Sequence, residues 1–152
     1  MMRTLSNALQ SQVDGARVAL RVCFGVVPLL AGLDKYFNLL ADWPHYLSPL
    51  AISVLPVTPQ TAMHIIGVVE IAVGIAVLSR WALAGSLIAA VWLVAIALNL
   101  AAAGFFDIAV RDVVLAVAAY ALACLTAAHE AAARSQRTWQ RADQTTAART
   151  AA

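Results

Sequence analysis

Between Ala62 and Ala128 the chain carries three long apolar segments separated by only a few polar residues, and no other feature restricts the fold as strongly. The first runs from Ala62 to Leu78, the second from Trp81 to Ala103 and the third from Ile108 to Ala128. At about 1.5 Å per residue each can cross a hydrocarbon core of roughly 30 Å, the first with help from Thr58 to Thr61 and Ser79. Links this short permit only antiparallel neighbours. Strands are excluded because the segments show no strict alternation, are rich in Ala and Leu, and would leave open sheet edges in lipid. Hydrophobic residues make up 62% of the chain and charged residues 12%, with a mean hydropathy of +0.81. A soluble domain has roughly 25% charged residues, so this chain cannot cover a core with a polar skin. The reading is an all-α integral membrane four-helix bundle, a single domain of up-down topology. A formal charge of +2, dispersed along the chain, gives no footprint for nucleic acid.

A further apolar stretch, centred on Val22 to Leu33, precedes these three and supplies the first span. The spans are expected at 16–40, 60–78, 81–103 and 107–128, with a loop at 41–59 and a tail at 129–152. Pro28 lies within the first span and predicts a modest kink. Met1 to Gln12 is polar and expected to be loose or interfacial. It does not read as a signal peptide, because the apolar run starts late and no small-residue cleavage pattern follows it. The loop mixes Trp43, Pro44, His45, Tyr46, Pro49, Pro56 and Pro59 with apolar residues, which suits an amphipathic segment at headgroup level, broken into short pieces by its prolines. The tail is expected to stay helical for a few turns and then fray. Arg3, Arg17, Arg21, Arg80, Arg134, Arg137, Arg141 and Arg149 fall on one side, whereas Lys35 and Arg111 stand among Asp34, Asp42, Asp107 and Asp112 on the other. This asymmetry places both termini in the cytoplasm and the lipid bilayer around the helices.

Charges inside spans need partners. Counting from the cytoplasmic side puts Arg21 and Glu70 at nearly the same depth, so an Arg21–Glu70 ion pair is expected to clamp the first two spans. A second polar layer, toward the outer surface, holds Asp34, Lys35, His64, Asn99, Asp107, Arg111 and Asp112. Lys35, His64, Asn99 and Arg111 are the candidate pocket for a quinone or anionic headgroup. In the structural alternative Lys35 and Arg111 snorkel, Asp34 and Asp112 pair with them, and Asn99 closes a helix contact. A contact with another subunit, including a second copy in a homo-oligomer, is a third use of the same layer. Gly25 with Gly32, and Gly67 with Gly74, are each spaced by one heptad and permit close helix approach. Cys23 and Cys124 are isolated, and His45, His64 and His129 fall on different elements. Neither a dithiol centre nor a metal site is indicated, and no phosphate loop is present.

Three patterns together carry a resemblance: Arg21, Gly25, Gly32 and Lys35 in the first span, Gly67, Glu70 and Gly74 in the second, and the Arg111–Asp112 pair opening the last. Their order and spacing, over Val18 to Leu125, resemble the DoxX/DoxD-like family of small four-helix membrane proteins. The resemblance implies a bacterial inner-membrane protein, with Arg21, Lys35, Glu70, Arg111 and Asp112 at positions of the family's polar signature. It also implies a quinone-interacting or accessory subunit that works with a separate redox partner, the electron chemistry belonging to quinone or partner. A non-enzymatic scaffold or assembly protein is the alternative, and small-molecule transport is the third reading.

Overall fold

The computed structural model describes residues 2–150, and the side chains of residues 9–141, 143 and 144. Helix α1 spans Met2–Asp34, a short α2 spans Pro49–Val54 after a 3₁₀ turn at Trp43–Tyr46, and α3, α4 and α5 span Pro59–Leu78, Ala82–Ala102 and Phe106–Thr150. No strand occurs among the described residues. The four long helices contain segments, Leu9–Asp34, Pro59–Leu78, Ala82–Ala102 and Phe106–Arg141, long and apolar enough to cross a membrane. They alternate in direction. The Ser79–Trp81 link and the extensions of α1 and α5 define a turn end of the bundle; residues 35–58 and the Gly104 turn define a loop end.

Local chemistry explains the boundaries. Thr58 caps α3 by accepting the Thr61 N–H, Ser48 caps α2 by accepting the Ala51 N–H, and Pro59 and Pro49 follow at the first helical position, where no N–H is needed. Helix α1 stops at Asp34, six residues short of the expected end at 40. Asn38 adopts a left-handed conformation with φ of 52°, and its N–H returns to the Asp34 carbonyl at 2.7 Å. The Asp34 carboxylate then accepts the N–H groups of Leu39 and Leu40 at 3.1 and 3.0 Å and the indole N–H of Trp43 at 2.7 Å. A short acceptor followed four residues later by Asn is a helix stop that apolar periodicity alone does not reveal. At the other end α1 is helical from Met2, where a loose or interfacial segment was expected, and α5 continues to Thr150, well beyond a few turns.

Helices α1 and α3 meet backbone to backbone. A Cβ at Gly32 would lie 2.6 Å from the Gly67 carbonyl oxygen, and one at Gly74 would lie 2.6 Å from that of Gly25. Only glycine permits this approach in both helices at once. These pairs set an antiparallel register in which Arg21 faces the end of α3 at Leu78. Helix α4 joins α3 at Gly85, which lies against Val77, and packs along α5 through small residues including Ala97, Ala109, Ala116 and Ala119. The closed core sits toward the turn end, around Phe24, Val73, Val77, Ala89, Ala119 and Leu122. Beside it Asp14 and His129 meet at 3.1 Å and tie α1 to α5. A second apolar cluster, Leu47, Ala62 and Met63 with Trp43, Ala51 and Ile66, closes the loop end.

Candidate functional site

Between the two apolar clusters the bundle is hollow. A cavity of about 670 Å³ is walled by α1, α3, α4 and α5 and roofed by the 3₁₀ turn and α2. Its α1 wall comes from Phe24, Pro28, Ala31 and Lys35, one stripe of the helix, and Pro28 leaves the Phe24 carbonyl without its usual helical donor. Helix α3 contributes Met63, Ile66, Glu70 and Val73 at the same spacing.

The polar centre of this wall is a buried ion pair. Lys35 Nζ donates to Glu70 Oε2 at 2.6 Å, and the same ammonium lies 3.7 Å from the centroid of the Trp43 ring. The Lys35 side chain is 4% exposed and that of Glu70 10%, so both charges are withdrawn from bulk solvent and each depends on the other. The expected Arg21–Glu70 pair is therefore not made. Arg21 instead spans the end of α3, donating to the carbonyl oxygens of Val77, Leu78 and Ser79 at 2.9, 2.9 and 2.6 Å. There it satisfies acceptors that a helix C-terminus leaves open and complements its partial negative charge. The glycine register explains the exchange of partners: it sets Arg21 against Leu78 and leaves Glu70 within reach of the long Lys35 side chain.

The remaining candidates divide. Asn99 is engaged with the roof: its amide donates to the Tyr46 carbonyl at 2.8 Å and accepts the Ser48 N–H at 3.0 Å. It lines the cavity but acts as a staple, holding the loop to α4. His64 is not in the cavity wall. Its ring stacks on Tyr36 with centroids 4.7 Å apart, its Nε2 lies 2.9 Å from the Gln60 amide nitrogen, and Tyr36 donates to its carbonyl at 3.1 Å. Arg111 and Asp112 both line the cavity on α5, Arg111 exposed and Asp112 half-buried. Asp34 makes no ion pair with Lys35 or Arg111, because both carboxylate oxygens are committed to the helix stop. Asp112 likewise has no salt-bridge partner within 4 Å among the described residues.

Two features lie outside the reading of the chain: the partners of Trp43 and the position of Trp92. Trp43 touches both charged centres of the loop end, through its N–H to Asp34 and its ring face to Lys35. Trp92 lines the cavity, and its buried indole N–H has no acceptor among the described residues. The helical stripe Phe24, Pro28, Ala31, Lys35 is visible in the sequence, but nothing in it shows that the stripe borders a void instead of a packed core. Above the cavity the rings of Tyr46 and Phe105 lie 5.1 Å apart, with His45 5.4 Å from Phe105 and 5.9 Å from Tyr46. The roof is thus an aromatic cap pinned by Asn99. Among the described residues no group of three or more His, Cys, Asp or Glu side chains gathers to hold a metal ion. Comparison with protein-family models, with curated proteins and with solved structures finds no match for the chain.

Proposed function

We propose that this chain is a DoxX-like membrane protein that binds a quinone-like amphiphile in the bundle cavity and serves a membrane redox complex as an accessory subunit. The observation that carries the proposal is the cavity itself: about 670 Å³, walled mainly by apolar side chains, with a single buried ion pair at its centre. Volume and lining suit a small apolar ligand with a few polar atoms. A quinone ring is flat and uncharged and carries two carbonyl acceptors. The Lys35–Glu70 pair is neutral overall, so it does not demand a charged ligand, while the Lys35 ammonium keeps donors beyond the one given to Glu70. The chain supplies position and donors; the electron chemistry belongs to the quinone and to a partner subunit.

The arginines at the turn end, among them Arg17, Arg21, Arg80, Arg134 and Arg137, support an orientation with that end and both termini in the cytoplasm of a bacterial inner membrane. The continuation of α5 to Thr150, past the bundle, favours a second reading as a scaffold that docks a partner without a ligand of its own. Mass spectrometry of the gently solubilised protein separates the two. A stoichiometric quinone is expected, and its loss from the Lys35→Met, Glu70→Leu double variant, with helical content unchanged. Phospholipid alone in a folded preparation leaves the scaffold.

A further inference from the structure

We infer that the cavity takes its ligand sideways from the bilayer, through a cleft between α1 and α5, and that the ligand is an amphiphile whose apolar tail remains in that cleft. This rests on the ligand-binding reading above and adds to it the route and the requirement for a tail.

The cleft follows from where α1 and α5 are held together and where they are not. At the turn end Asp14 and His129 tie the two helices beside the closed core. Toward the loop end, the residues these helices give to the cavity rim are exposed: Cys23 and Val27 on α1, Arg111 and Leu115 on α5. Val27 is 61% exposed and Leu115 39%, although both border the cavity, so the wall is open between them. The α3–α4 side and the loop end each carry a covering element. Helix α2 lies across the opening between α3 and α4, with Ala51 packed on the Leu47, Ala62 and Met63 cluster. The aromatic cap closes the loop end, pinned by both hydrogen bonds of Asn99.

The chemistry of the cleft matches a molecule dissolved in lipid. Val27 and Leu115 present hydrocarbon to hydrocarbon, so a tail passing there never leaves an apolar medium. Arg111 stands on the rim five residues after Phe106, the start of α5. That is roughly 7 Å from the helix end, a depth at which a guanidinium reaches headgroup level. No hydrogen bond or salt bridge holds it among the described residues, which leaves its donors to meet the polar head of an incoming amphiphile. A water-borne, tail-less molecule would instead have to part the ring cap.

The test uses full-length protein in phosphatidylcholine nanodiscs, in a Cys23→Ser, Cys124→Ser background, with ubiquinone-10 as probe and tryptophan quenching as readout. Bridging Val27→Cys to Leu115→Cys with a bifunctional maleimide is expected to slow uptake at least tenfold. Bridging Ala72→Cys to Val91→Cys, exposed on α3 and α4 and outside the cavity wall, is expected to leave it unchanged. Filling the cleft with Val27→Phe and Leu115→Phe should slow uptake without a bridge. Before bridging, a tail-less benzoquinone is expected to bind at least tenfold more weakly. Unchanged uptake across the first bridge, or slowing by the second alone, overturns the cleft and leaves the ligand reading standing. If the unbridged protein binds neither quinone, both fall together.

Discussion

Lys35 shows how a side chain can be placed in a polar layer by the sequence yet find a neighbour that the sequence did not give it. Its charge lies among helices, where an unpaired ion costs several kcal/mol, so a partner is required; which partner depends on reach and register. The pair is a strong dependency and a weak stabiliser. Lys35→Ala strands the Glu70 carboxylate in an apolar wall and is expected to cost about 3–5 kcal/mol, whereas Lys35→Met with Glu70→Leu removes both charges and should be close to neutral. Thermal unfolding in detergent, run as a double-mutant cycle, measures the difference. Equal losses for the single and double variants would mean that the pair is hydrated in solution.

The glycines where α1 meets α3 act at the level of the element, because their effect is to bring one helix axis toward another. Gly67 and Gly15 make the contrast. A Cβ at Gly67 would stand 2.6 Å from the Gly32 carbonyl, a backbone atom that cannot swing aside, whereas nothing lies within 4 Å of one at Gly15. Gly67→Ala is expected to destabilise by about 1–3 kcal/mol through displacement of α1. Gly15→Ala should stabilise by about 0.5–1 kcal/mol, as a helix interior gains from losing glycine. Both shifts are read from melting temperatures of the purified variants. The spacing of the two glycine pairs was legible in the sequence, and the close approach is found where they lie. Their consequence for Arg21 was not, because depth was counted from an assumed start of the span, while the glycines align α1 against α3 independently of where the lipid begins.

For the molecule as a whole, the bundle has one closed half and one hollow half. The turn end is filled by Phe24, Val77, Ala119 and Leu122; the loop end is roofed, not filled. The proposed orientation rests on a second whole-molecule asymmetry, the arginines gathered at the turn end. In a cysteine-free background, Trp139→Cys is expected to react with a membrane-impermeant maleimide only from the cytoplasmic side, and Ser53→Cys only from the opposite side. Labelling of both from one side would contradict an odd number of crossings, α3, α4 and α5, between them.

Fold class and the number of spans were determined by the sequence alone, because a bilayer admits few backbone solutions and the lengths of apolar runs are written residue by residue. Helix caps such as Ser48 and Thr58, and the pairing of glycines, are equally local. The partner of Glu70, the commitment of Asp34 and Asn99 to the loop, the exclusion of His64 and the existence of the cavity were decided only in the tertiary structure. Each depends on the relative register of helices distant in the chain and on whether four apolar faces meet or stand apart. A sequence shows that a face is apolar; it does not show whether another face fills it.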